Sequence, residues 1–427
     1  MPPVSKTNLI FISLVILSAF LQAQDTTQHI VPGRSNRAAQ MKKPYVILIS
    51  ADGMRYDLAD KYQAKNLIRL RSSGVAADYM QSVFPTLTFP NHYSMITGSY
   101  PDHDGIVDNS FFDPGRDQVY TMGNKKTVED SSWYGATPLW VLAEKQGMLT
   151  ASYYWVGAEA AIQGVRPTYY YKYNTRISMG DRIRDVRNWL SLPENKRPHF
   201  ITFYIPDVDH EEHTHGVNSK QTAIAVHYVD DAVARLVRTV DSLHLLVNYI
   251  FVSDHGMIDI DMVHTLGLPK MFDTSRFFIM NSHALVHLYA RHAADILPAY
   301  KILKLAAKDY DAYLAGEMPA RWHYIKKDDR YNRIGDIILV AHAPKVFDLN
   351  DHGLPVAMHG YDPSIPEMRA TFYAWGPAFK ENLKIPGFEN INIYPLIADI
   401  LRLKISDPED GRLNVLKPIL KSSNITR

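Results

Sequence analysis

Three apolar runs, each closing on acidic residues, constrain this chain more than any other feature. Tyr-Val-Ile-Leu-Ile-Ser at residues 45 to 50 leads into Asp52 and Gly53; His199 to Tyr204 leads into Asp207 and Asp209; Tyr249 to Ser253 leads into Asp254, His255 and Gly256. Continuous apolarity, rather than alternation, is what a strand buried on both faces of a parallel sheet requires. Between the second and third runs, Val226, Val229, Val233, Val237 and Val240 recur at three- and four-residue spacing and mark one face of an amphipathic helix. Strand, helix, strand is βαβ grammar. The expected fold is therefore α/β: a doubly wound, mostly parallel sheet with helices on both faces. Ligands in such sheets sit beyond the carboxyl ends of the strands, where these polar residues fall.

Composition limits what the fold can serve. The chain has 427 residues, 46% hydrophobic and 21% charged, values that argue against a disordered, collagenous or polytopic membrane protein. A formal net charge of +1 supplies no global field for nucleic acid or an anionic membrane, so no stable nucleic-acid complex is expected and an anionic substrate must be attracted locally. There is no cysteine, which excludes disulfides, thiolate metal sites and cysteine nucleophiles and leaves metal ligation to histidine and carboxylate. Lys6, an apolar run from Leu9 to Leu21 and Ala23 read as a secretory signal over residues 1–23, implying a secreted or periplasmic protein with no membrane span after cleavage. Residues 24–43 are polar and expected to form a flexible leader. Residues 44–427 are expected to form one catalytic domain, with an irregular stretch from about Met257 to Gly360 inserted around the site.

The densest chemistry lies in Asp207-Val208-Asp209-His210-Glu211-Glu212-His213-Thr214-His215. Asp209 and His213, four apart, can meet on one side of a helical turn and share a metal ion. A zincin reading of His210-Glu211 fails, because that pattern needs histidine at 214 and Thr214 stands there. Asp254-His255 and His359-Gly360 add further donors. Together Asp52, Asp209, His213, Asp254, His255 and His359 supply enough nitrogen and oxygen ligands for two zinc ions with positions open to substrate. Such a metal pair clamps the attacking and leaving oxygens of a phosphoryl transfer. Hydroxyls for a nucleophile cluster in Phe84-Pro85-Thr86-Leu87-Thr88-Phe89-Pro90-Asn91-His92-Tyr93-Ser94, and the pattern leaves Thr86, Thr88 and Ser94 open.

The chain resembles the nucleotide pyrophosphatase/phosphodiesterase family of the alkaline phosphatase superfamily. The resemblance rests on Ser-Ala-Asp-Gly at 50 to 53, Pro-Thr-Leu-Thr-Phe-Pro-Asn-His-Tyr-Ser at 85 to 94, Gly-Ile-Val-Asp-Asn at 105 to 109, Ser-Asp-His-Gly at 253 to 256 and His-Gly-Tyr-Asp at 359 to 362. It implies an alkaline phosphatase-like core with inserted loops and a two-zinc hydrolase that releases nucleoside 5'-monophosphates through a phosphothreonine intermediate. Position by position, it implies that Thr88 is the nucleophile, held with Asp52, Asp254 and His255 on one zinc, while Asp209, His213 and His359 hold the other. Asn109 matches the donor to a non-bridging phosphate oxygen. Phe89 and Tyr173 match the aromatic pair that stacks on a nucleotide base. The chain departs from the family at Glu212, where glycine usually precedes the metal histidine. Within the family the rival substrate is a lysophospholipid or glycerophosphodiester with a choline head group; outside catalysis, the rival is a degenerate secreted metal-binding protein.

Overall fold

A computed structural model describes residues 25–349, 353–407 and 409–422. The secretory-signal segment lies outside the described residues. At the centre is a nine-stranded mixed sheet. Its strands in chain order are β1 (His29–Ile30), β2 (Tyr45–Ala51), β3 (Val75–Ala77), β4 (Thr150–Tyr153), β5 (Tyr169–Tyr171), β6 (Phe200–Ile205), β7 (Val247–Val252), β8 (Phe372–Trp375) and β9 (Leu383–Ile385). Their spatial order is β1, β5, β4, β6, β2, β7, β8, β3, β9. From β5 to β7 every pairing is parallel. Antiparallel strands enter at β1 and at β8, the latter placed between β7 and β3.

The three runs singled out in the sequence are β2, β6 and β7, adjacent at the centre of the sheet. Side chains of a strand alternate between faces, and β2 shows the division. Val46 and Leu48 join one core, with the helices α2 (Thr88–Thr97), α3 (Leu139–Lys145) and α7 (Ile393–Ile400). Tyr45, Ile47, Ile49 and Ala51 join the other core, with α1 (Lys65–Ser72), α4 (Met179–Leu190) and α6 (Lys220–Asp241). Every residue of β2 is buried, which is why the run is continuously apolar. All five valines of the predicted amphipathic face are buried on α6.

Two expectations change. The leader is tied down from Asp25 onward: β1 pairs with β5, and the Asn36 side-chain amide donates to the carbonyls of Glu194 and Arg197 at 2.8 and 2.7 Å. Polarity misled here, because this segment is anchored by hydrogen bonds rather than by apolar burial. The stretch read as irregular contains a four-stranded antiparallel sheet with strands Phe277–Asn281, Leu285–Ala290, Tyr310–Leu314 and Ile337–Ala341, backed by the helix Ile296–Ala306. Leu285, Ile338 and Val340 turn the other way and join the core under α2, so the inserted sheet packs on the main one.

Candidate active site

The carboxyl ends of β2, β6 and β7 deliver the acidic residues to one place. Asp52 follows β2 directly. Gly53 then turns with φ +69°, and a Cβ there would lie 2.9 Å from the Asp209 Cα, so glycine is needed for the close approach of the next helix. That helix, α5 (Asp207–His215), follows β6 after Pro206 and carries both Asp209 and His213. Asp254 and His255 follow β7 after Ser253. His359 follows the short strand Ala357–Met358, which pairs with Ile258–Asp259 at the base of the insertion.

Asp52, Asp254 and His255 offer donor atoms within 4.8 Å of one another, as do Asp209, His255 and His359. His213 completes the second group, with Nε2 3.3 Å from Asp209 Oδ1 and 3.2 Å from His359 Nε2. Thr88 stands beside both groups, its Oγ1 3.2 Å from His255 Nε2. It is the first residue of α2, where the helix dipole favours an anion. Thr86 is turned elsewhere: its hydroxyl donates to the Tyr361 carbonyl. Ser94 lies 3.4 Å from Asp104, on the buried side of α2.

The orientation of the rings shows what the site is built to hold. Nδ1 of His213, His255 and His359 faces a backbone carbonyl, of Ala357 at 2.8 Å, Gly256 at 3.0 Å and Thr86 at 2.8 Å. Nδ1 therefore donates in each, which leaves all three Nε2 atoms to receive a proton or a metal. Two of these Nε2 atoms face each other, and Asp52 Oδ1, Asp209 Oδ1 and Asp254 Oδ2 are buried without a geometrically sound hydrogen bond. Buried polar atoms are almost always paired. Three unpaired carboxylate oxygens and three converging imidazole nitrogens in one volume form a donor set suited to divalent ions.

The electrostatics agree. Burial pushes Asp52 well above the usual carboxylate range, aided by the neighbouring charges of Asp254 and Asp209. Burial acts the same way on Asp254 and Asp209, but the imidazoles outweigh it: His255 and His92 hold Asp254 far down, and His213 and His359 hold Asp209 down. Burial, with His255 alongside, takes His359 down to about 3. The centre thus concentrates carboxylates in a dry space, where the imidazoles, with His255 and His213 raised by their Asp254 and Asp209 neighbours against burial, are the groups that offset them.

The flanks hold the remaining candidates. Asn109 Oδ1 accepts from the Phe89 backbone amide at 2.8 Å, tying it to the first turn of α2. The Phe89 ring packs against Tyr120, while Tyr173, 47% exposed, packs against Tyr154 and Tyr204. Sequence reasoning gave no role to His92 or Tyr204. His92 Nδ1 donates to the Thr88 carbonyl at 3.0 Å and lies 3.4 Å from Asp254 Oδ2, while Nε2 meets Ser50 Oγ at 2.8 Å. Its place four residues after Thr88 was the available signal. The Tyr204 hydroxyl donates to Asp52 Oδ2 from inside an apolar strand, where nothing in the pattern marked it.

A family model for type I phosphodiesterase/nucleotide pyrophosphatase matches residues 46–362, the span that contains every one of these side chains. The chain belongs to this family. It is 32% identical over 404 residues to a venom phosphodiesterase of Crotalus durissus collilineatus, covering 91% of this chain and 48% of that one. It is 30% identical over 416 residues to an uncharacterized pyrophosphatase/phosphodiesterase of Schizosaccharomyces pombe, covering 93% and 85%. The chain spans about half the length of the venom and mammalian relatives it matches. Among solved structures, murine ectonucleotide pyrophosphatase/phosphodiesterase 5 superposes with a TM-score of 0.82 at 27% identity, covering 88% of this chain and all of that one. An inactive form of the same murine protein in complex with AMP matches with the same score and identity over 89% of this chain. The fold is the alkaline phosphatase-like α/β core of that family.

Proposed function

We propose that the chain is a secreted two-zinc phosphodiesterase that cleaves nucleotide phosphodiester and pyrophosphate bonds and releases nucleoside 5'-monophosphates. One observation carries the reading: three buried carboxylate oxygens without hydrogen bonds and three imidazole Nε2 atoms converge beside the Thr88 hydroxyl. Asp52, Asp254, His255 and Thr88 would hold one ion, and Asp209, His213 and His359 the other. Bound there, zinc supplies the positive charge that lowers the pKa of a hydroxyl ligand and offsets the charge of the reacting phosphate.

The chain's own residues account for the rest. Thr88 Oγ1 bonds to phosphorus as the bond from phosphorus to the leaving oxygen breaks, and water later hydrolyses the phosphothreonine ester. Asn109 Oδ1 is occupied by the Phe89 amide, which leaves Nδ2 as the side-chain group that would donate to a non-bridging phosphate oxygen. Phe89 and Tyr173 stack on the base, an interaction that tolerates any base. The AMP held by the inactive murine relative and the venom origin of other relatives support the nucleotide substrate and the secretion.

Thr88→Ala is expected to lower turnover of a nitrophenyl nucleotide ester by more than about a thousandfold while bound zinc stays near the wild-type amount. Normal activity in that variant would overturn the assignment. ATP and a dinucleotide, assayed beside nitrophenyl phosphorylcholine, are expected to be the better substrates; preference for the choline ester would move the chain to lipid head groups.

A further inference from the structure

We propose that the inserted sheet is a positioning device for Asn109, acting through Asp108, Ser282 and His287. The inference rests on the reading of Asn109 as a phosphate donor. Asp108 is fully buried, and its carboxylate is gripped from the insertion: Ser282 Oγ donates to Oδ1 at 2.6 Å and His287 Nε2 lies 3.1 Å from Oδ2. Ser282 precedes the inserted strand Leu285–Ala290 and His287 lies within it.

The same insertion holds the loop on either side. The Tyr324 hydroxyl donates to the Val107 carbonyl at 2.8 Å. Buried Arg333 donates through Nη1 to the Gly105 carbonyl and through Nε to Asp113 Oδ2, both at 2.9 Å. The segment from residue 105 to 113 is therefore fixed before, at and after Asp108 by residues that arrive much later in the chain. Asn109 inherits this rigidity. Its carbonyl accepts from the Met122 amide at 2.9 Å and its Oδ1 from the Phe89 amide at 2.8 Å, so a shift of Asp108 rotates the one remaining amide group, Nδ2, away from its target. Hydrogen bonds to a buried carboxylate are strong and geometrically exacting. A misplacement on the order of 1 Å at a donor that stabilises developing charge can cost roughly a hundredfold in rate.

Ser282→Ala removes one grip and leaves the backbone intact. It is expected to lower kcat on a nitrophenyl nucleotide ester about tenfold with KM changed less than about twofold. Ser282→Thr, which keeps the hydroxyl, is expected to restore most of the rate. The deciding measurement is a double-mutant cycle with Asn109→Ala, which alone is expected to cost about a hundredfold. In that background Ser282→Ala should add almost nothing. If the two losses multiply, or if Ser282→Ala alone leaves kcat unchanged, the inserted sheet does not position Asn109. If Asn109→Ala keeps full activity, the phosphate-donor reading itself fails, and the positioning role fails with it. Should Ser282→Ala not fold, Asp108→Asn, which keeps the size and shape of the gripped side chain, enters the same cycle.

Discussion

Glu212 is fully buried, and neither carboxylate oxygen has a hydrogen-bond partner. Burial and then Asp209 push its pKa well above the ordinary range, against a partial offset from Arg55 and Lys61. Arg55 has committed its guanidinium to Asp57, with contacts of 2.6 and 3.0 Å. A buried polar group in this state costs roughly 1–3 kcal/mol. Glu212→Met, of similar length and apolar, is therefore expected to raise the thermal midpoint of the zinc-loaded protein, and a lower midpoint would assign Glu212 a stabilising partner. Asp102 gives a pH signature. Burial raises it to about 7 against the opposing pull of His103, where the ordinary value is 3.8. The native state holds its proton while the unfolded chain gives it up, so the stability it contributes is present below about pH 4 and is lost as pH climbs to about 7. Asp102→Asn should accordingly raise the midpoint more at pH 8 than at pH 4, as read by thermal unfolding at both. At this scale the sequence was legible where polar residues interrupt an apolar pattern, as at Asp52, Asp254 and His255. Tyr204 was hidden because an aromatic ring fits a strand whether or not its hydroxyl is used.

Elements tell a similar story with a different boundary. β2, β6, β7 and α6 were readable because burial on defined faces writes a period into the sequence. The short strands β1, β3 and β8 carry too few residues to show one, and their place is set by partners far along the chain. The inserted sheet contains apolar runs as clear as Ile337–Ala341, yet none ends on an acidic residue, so nothing drew attention to them. Asn36 is the sharpest case of anchoring without apolar burial: it is 4% exposed, donates to two carbonyls and accepts from the Leu149 amide at 2.7 Å. Asn36→Ala leaves those groups unpaired and is expected to cost about 2–4 kcal/mol of unfolding free energy, measured by denaturant titration. A loss below about 0.5 kcal/mol would mean that β1 and its flanks contribute little to the fold.

For the whole molecule, the proposed ions would belong to the architecture as well as the chemistry. Held by the proposed donors, they would join segments that follow β2, β6, β7 and the insertion, and a ligand bound only by the native state stabilises it by mass action. Chelation is expected to abolish hydrolysis and lower the thermal midpoint together, with both restored by added zinc; activity that survives exhaustive chelation would refute a metal-dependent centre. The donors' order along the chain also bears on biosynthesis. Asp52 leaves the ribosome early and His359 late, and β8, wedged between β7 and β3, emerges later still. A nascent chain thus carries most of the machinery while being unable to close it.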